Sequence, residues 1–411
     1  MGQRSPLAAL RPPRQLAALA GWTPRASALG CYIHVPFCTV RCGYCSFNTA
    51  PHDTRAVPRF VAAVCAEIDL AASSPWARAV ELATVFLGGG TPSLLSPDEL
   101  HAILHRLATR FRVAPGAEIT VECNPESATR ERLAAYRALG VTRISLGVQT
   151  LDDALLPVLD RQHTAAGARA AYDAARAADF PHVSVDVMYG VPGAPDGAWE
   201  RTVAELLAWD PDHLSAYGLT LDEGSLWHAA GSHALPPDDR VTAEYWHLAE
   251  RARAAGFEHY EVSNYARSGH RSAHNQMYWR AGEYIALGPG ACGFLGQVRY
   301  SNHRAVPRYC GEIEAGDLPV ASHETLTARQ MLGERLFLGL RTADGIPDAW
   351  LEERLALGPA SLARRLDDWV ERGLLERGVP EAGAVERGGV ARARLTEAGF
   401  LLSDALFAEL L

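Results

Sequence analysis

Cys38-Thr-Val-Arg-Cys42-Gly-Tyr-Cys45 follows the strand-like run Gly30–Phe37 directly, and the fold turns on how this stretch is read. It supplies three thiolates within eight residues. Structural metal sites are closed by four protein ligands, so a compact set of three points to a metal centre with one coordination position left open. The bland alternative is a zinc knuckle completed by His34 or Cys31. The chain has eight cysteines in 411 residues, too few for a disulfide scaffold, and three of them are clustered as thiolates. That usage points to a reducing compartment, and the expected location is cytoplasmic.

Outward from the cysteines, short β-rich runs alternate with amphipathic helical patterns. The strand candidates are 31–35, 84–87, 118–122, 143–147, 183–188 and 213–219. Several are continuous Val/Ile/Leu runs, as expected of strands covered on both faces. The clearest helix is 97–111, with Leu100, Ile103, Leu104, Leu107 and Phe111 on one face, Ser96 as N-cap and Glu99 three residues on. Six βα repeats imply right-handed crossovers and a parallel α/β sheet, open or curved. Gly88–Thr91, Glu122, Gln149 and Thr220 all fall at the C-terminal ends of their strands, where parallel-sheet enzymes place ligands. Several strands ending on one site favour a partial (β/α)6 barrel.

Three regions follow: a flexible N-terminal extension over 1–29, the barrel over 30–260, and a C-terminal α+β region over 261–411. The extension contains Arg4, Arg11, Arg14 and Arg25 without an acid, a weak flavour of a transit peptide offset by four prolines. The C-terminal region reads as helices over 324–340 and 359–372. Two strands over 373–376 and 390–395 flank a Gly-rich loop at 378–389, and Thr396 caps a last helix to Leu411. That order suggests a winged-helix-like module. Its acids (Asp367, Asp368, Glu371, Glu376) and the chain's net charge of −9 argue for packing or partner binding and against nucleic acid. No apolar run is long enough to span a bilayer. All 39 basic residues are Arg, so neither a P-loop lysine nor a pyridoxal Schiff base is available. Gly288-Pro-Gly-Ala-Cys-Gly293 has the G-x-G-x-x-G spacing but precedes a strand pattern, which argues against dinucleotide binding.

The C-x3-C-x2-C spacing, with Tyr44 before the last cysteine, resembles the signature of the radical S-adenosylmethionine (SAM) proteins. Phe86-Leu-Gly-Gly-Gly-Thr-Pro-Ser93, Arg143-Ile-Ser-Leu-Gly-Val-Gln149 and Val185-Asp-Val-Met-Tyr-Gly-Val-Pro192 extend the likeness to the oxygen-independent coproporphyrinogen III oxidase family, over about residues 30–405. The resemblance implies that Cys38, Cys42 and Cys45 hold a [4Fe–4S] cluster whose fourth iron takes SAM. It also implies SAM contacts at Tyr32, Tyr44, Gly89, Gly90, Thr91, Glu122, Gln149, Arg161, Asp186 and Thr220. Phe37, Tyr44 and Phe47 would limit water access to the thiolates.

Two details divide the family. The decarboxylating oxidases carry a further cysteine two positions after the third, where this chain has Phe47. Instead, His274-Asn-Gln-Met-Tyr-Trp279 resembles the H-N-x-x-Y-W motif of the HemW-type heme chaperones. The implied function is binding heme and passing it to acceptor haemoproteins, some of them reached by peripheral contact at a membrane. Flavodoxin or ferredoxin would serve as electron donor, and the alternative is the oxidase reaction itself. His274 is the candidate axial ligand, with Asn275, Tyr278 and Trp279 beside the macrocycle; His34, His270 and Cys292 stay open as other ligands.

Overall fold

The computed structural model of the protein describes residues 22–231, 233–358, 360–380 and 390–410. Six strands lie side by side in chain order, every neighbouring pair parallel: β1 (Ala28–Val35), β2 (Glu81–Gly89), β3 (Arg112–Cys123), β4 (Arg143–Gln149), β5 (His182–Tyr189) and β6 (His213–Gly218). Helices cross back between them, among them Val57–Ala72, Pro97–Arg110, Arg130–Ala138, Ala165–Ala177 and Ala198–Ala208. This is the partial (β/α)6 barrel that the alternation implies.

One residue parity of each strand packs outward under these helices. Leu29, Cys31, Ile33 and Val35 of β1, Val85 and Leu87 of β2, Val121 of β3, and Val183, Val185 and Val187 of β5 are all buried in one large core. The opposite parity faces the lumen and is largely polar, with Glu118, Thr120 and Glu122 on β3, Arg143 and Ser145 on β4, and Ser184 and Asp186 on β5. Burial on both faces therefore did not require apolar residues on both. The helix Pro97–Arg110 is held at its start by a full capping box: the Ser96 hydroxyl accepts from the Glu99 backbone N–H at 3.3 Å, and the Glu99 carboxylate accepts from the Ser96 N–H at 2.7 Å.

The sheet runs on past residue 260. On one side β7 (Glu258–Glu261) and β8 (Asn264–Ala266) add antiparallel strands beyond β6. On the other, β9 (Tyr284–Leu287) pairs parallel with β1, followed by antiparallel β10 (Cys292–Leu295), β11 (Val298–Asn302) and β12 (Val320–Thr325). The described part of the expected loose extension is also tied down. The backbone N–H groups of Arg25 and Ala26 donate to Glu283, and Trp22 stacks on Tyr300 at 5.3 Å.

The helix expected from residue 324 begins instead at Ala328. Glu324 belongs to β12, ion-paired with Arg299 across the ladder, and Thr327 forms a capping box with Gln330 that fixes the helix start. Residues 328–410 carry a second core around Leu336, Leu351, Leu366, Trp369 and Phe407. The strands Leu375–Val379 and Arg392–Leu395 pair antiparallel, joined by Ile346–Pro347. Most of the loop expected as a wing, 381–389, lies outside the described residues. The last helix is two, Glu397–Leu401 and Ser403–Leu410, and Thr396 caps the first.

Candidate functional site

The cysteine loop leaves the top of β1 through a two-residue strand, Phe37–Cys38, that pairs with Ala50–Pro51 and so pins both ends of the loop. Between them the chain is held by its neighbours. The Gly43 N–H donates to the Asp160 carboxylate at 2.8 Å, and the Gly43 carbonyl accepts from the Trp227 N–H at 2.9 Å. A Cβ on Gly43 would come within 2.0 Å of the Trp227 indole, so this glycine permits a close approach that no other residue allows. Farther along, Ser46 donates to Asp222 at 3.3 Å.

The three thiols open on one cavity of about 420 Å³. Tyr44, Gly89, Gly90, Thr91, Glu122, Gln149, Arg161, Asp186 and Thr220 line it with them. Of the expected SAM contacts only Tyr32 lies apart. It faces an adjoining space shared with His34, Gly89 and Glu122, its hydroxyl 2.9 Å from His34 Nδ1. Asn124, Ser145, Met188, Tyr217 and Asp222 also line the main cavity and were not singled out from the sequence. Asn124 had a readable signal, since it stands two residues along the strand line from the expected contact Glu122, and Ser145 stands four before Gln149 on the same line.

The polar groups are wired to one another. Arg161 donates to the Asn124 side-chain Oδ1 at 2.7 Å and to the Gly147 backbone carbonyl at 2.8 Å, and its guanidinium lies 4.0 Å from Cys42 Sγ. Thr91 donates to Cys38 Sγ at 3.6 Å. Glu122 accepts from the Gly89 N–H at 3.0 Å, and Asp186 accepts from Ser145 at 3.0 Å. Burial pushes the Glu122 carboxyl up to about 7, against the Gly89 hydrogen bond, with nearby Asp186 adding to the rise. Burial likewise raises Asp186 to about 6, against its serine hydrogen bonds. Carboxyls held this way ionise readily when a cation arrives. Gln149 adopts φ +66°, a left-handed conformation unusual for a residue with a Cβ, of the kind that concentrates at binding sites.

Burial pushes the Cys38 thiol up to about 11, above the usual range, so it is a thiol in the absence of metal and loses its proton on coordination. Among the described residues no three His, Cys, Asp or Glu side chains stand close enough to grip a single ion. Neither proposed zinc-completing residue is available: Cys31 is fully buried in the core, and His34 has its two ring nitrogens on Asn48 O and the Tyr32 hydroxyl. The donor set therefore fits a polynuclear cluster spanning three thiolates rather than a tetrahedral zinc. Phe37 is buried in the core against Phe60 and does not line the cavity, whereas Phe47 lines it but is 62% exposed and offers the thiols little cover.

The other motif lies at the opposite end of the barrel. The helix Ala273–Trp279 closes the lumen at the N-terminal ends of the strands. His274 is 1% exposed, stacks on Phe86 at 5.1 Å, and uses Nδ1 on the Thr84 hydroxyl and Nε2 on the Tyr278 hydroxyl, both at 2.8 Å. Burial lowers its pKa to about 4, so the imidazole is neutral. As placed, neither nitrogen is available to iron. Of the other candidate ligands, His270 has its Nδ1 2.9 Å from His182 Nδ1, and Cys292 is exposed at the start of β10. Trp279 borders a separate cleft below.

Residues 32–206 match the family model of the radical SAM superfamily. The chain is 40% identical over 328 residues to a Mycobacterium tuberculosis protein named heme chaperone HemW, covering 78% of this chain and 84% of that one. It is 37% identical to the bovine mitochondrial radical S-adenosyl methionine domain-containing protein 1, over 82% of this chain and 74% of the relative. In structure it resembles the coproporphyrinogen III oxidase HemN of Escherichia coli, with a TM-score of 0.81 across 96% of this chain and 92% of that one, at 19% identity.

Proposed function

The chain belongs to the HemW family of radical SAM proteins, and from that premise we propose that it is a heme chaperone, taking up heme and passing it to acceptor haemoproteins. Cys38, Cys42 and Cys45 would hold a [4Fe–4S] cluster, with SAM on its open corner. When bound, that cluster supplies single electrons at low potential. Gly89, Gly90 and Thr91 bring backbone close to the ligand, Glu122 and Asp186 offer carboxylates to its cationic groups, and Arg161 offers a guanidinium to its carboxylate. Asp160 and Trp227 hold the loop from behind. A small electron-transfer protein of the flavodoxin or ferredoxin type would reduce the cluster in the cytoplasm. Among the described residues no helix is long and apolar enough to cross a membrane, so membrane-bound acceptors would be met by peripheral contact.

The observation that carries the choice between chaperone and oxidase is position 47, where an exposed Phe in the cavity wall stands in place of a further thiol. The test is an anaerobic sample of reconstituted protein given SAM, reductant, coproporphyrinogen III and heme together. Heme uptake without loss of propionate carboxyls is expected. Accumulation of protoporphyrinogen would overturn the reading in favour of the oxidase.

A further inference from the structure

Beneath the barrel, a cleft of about 600 Å³ opens between the helix Ala273–Trp279 and the C-terminal module, within the size range of small-molecule sites. Its lining holds five arginines against two carboxylates, Glu258 and Asp344, a net charge of three positive in a chain whose net charge is −9. Two indoles, Trp279 and Trp350, stand in its walls. The arginines come from separate parts of the chain: Arg271 and Arg280 bracket the motif helix, Arg335 lies on Ala328–Gly339, and Arg392 and Arg394 lie on the strand Arg392–Leu395. Several are oriented by neighbours. Arg271 donates to Glu258 and Asp344, and Arg394 to Glu376 at 2.8 Å. Arg335 is exposed and makes no ion pair among the described residues; its guanidinium sits 5.8 Å from the Trp350 ring centroid. The Trp279 Nε1–H is buried with no hydrogen-bond partner, a cost that an acceptor in the cleft would remove.

Planar guanidinium forks match carboxylates, and indole faces match flat rings. The lining contains no His, Cys or Met, and its one phenol, Tyr260, is engaged with His213 and the Ser272 N–H. We propose that this cleft docks a flat aromatic polycarboxylate, a tetrapyrrole held by its propionates on arginine and by its ring against Trp279 and Trp350, with no protein ligand on the metal. The proposal rests on the heme reading above and locates the cargo. A cargo gripped at its periphery leaves the iron free for the acceptor's own ligand.

The full-length, cluster-reconstituted protein is titrated, by absorbance and by tryptophan fluorescence, with heme, metal-free protoporphyrin IX and protoporphyrin dimethyl ester. The wild type should bind the metal-free porphyrin within about threefold of heme and the ester about tenfold more weakly, the scale of one charge-assisted hydrogen bond. Arg335→Glu, at an exposed position, should weaken heme and protoporphyrin alike by about tenfold. Heme binding unchanged in Arg335→Glu, or heme bound while the metal-free porphyrin is refused, overturns this site and leaves the chaperone reading standing. A wild type that binds no heme overturns both.

Discussion

At the C-terminal ends of the parallel strands, Glu122, Asp186 and Thr91 face a cavity beside three thiols. At the N-terminal ends of the same strands, Thr84, Glu118 and Arg143 face one another and the helix Ala273–Trp279. Both ends are rich in polar side chains, yet they differ in how those groups are satisfied. At the lower end the charged groups are paired inside the protein, although Arg143 Nη1 itself is left without an acceptor: Arg143 pairs with Glu118 at 2.9 Å and also donates to the carbonyls of His270 and Arg271, and Glu118 accepts from the His274 N–H. Burial alone would raise the Glu118 pKa, but Arg143 and the backbone donors outweigh it and hold the carboxylate ionised. At the upper end Glu122 and Asp186 are under-compensated and held up near neutrality. Compensated charges stabilise one arrangement, whereas under-compensated ones wait for a ligand.

The largest expected effect separates cysteines of the two kinds. Cys42→Ser should abolish the iron–sulfur absorbance and iron content of reconstituted protein. Cys65→Ser should leave both intact, because the Cys65 thiol lies between two helices and donates only to the Ala102 carbonyl at 3.6 Å. Gly43→Ala belongs with the first: the added methyl must displace Trp227, and cluster occupancy should fall severalfold with the circular dichroism unchanged. Full occupancy in Gly43→Ala would show that the Trp227 buttress is dispensable.

At the lower end the expectation reverses. His274→Ala removes a buried imidazole that bonds two hydroxyls, and should cost about 2–4 kcal/mol of stability in a denaturant titration. Heme affinity should stay within about twofold of wild type. A loss of heme binding with stability intact would restore His274 as an iron ligand and erase the contrast between the two ends.

How far the sequence carried depended on whether the signal was local. Strand runs, the Ser96/Glu99 cap and the polar residues at strand ends are local patterns, and the structure puts them where period and capping chemistry require. Asp160 and Trp227 were invisible because they reach the cysteine loop from more than 100 residues away, one from a turn and the other from the five-residue helix Leu226–Ala230, too short for any periodicity to mark it. His274 stood out as a motif, but a motif carries no sign of which way its side chain points. The cleft beneath it was beyond reach for the same reason, since its arginines meet only once the C-terminal module has packed against the barrel.

The smallest effect is the most discriminating. With a pKa near 7, Glu122 is largely neutral at pH 6 and largely ionised at pH 8. A ligand with a positive centre binds the ionised form better, so SAM affinity should rise roughly tenfold across that interval, about one proton's worth of linkage. The unliganded protein slopes the other way: a carboxyl whose folded pKa is raised adds stability below its unfolded value of 4.5 and loses it as pH climbs through 7. Glu67 and Glu261, also raised to about 7 by burial, contribute to that same apo slope. Glu67 already accepts from Tyr309, Asn302 and the Gly288 N–H, and neither residue lines the cavity. Their share therefore cancels in the difference between melting curves taken with and without SAM. In Glu122→Gln that difference should be flat between pH 6.5 and 8, leaving only the rise near 6 that belongs to Asp186. A wild-type difference that is already flat would mean that the carboxylate at the end of β3 never meets the ligand's charge.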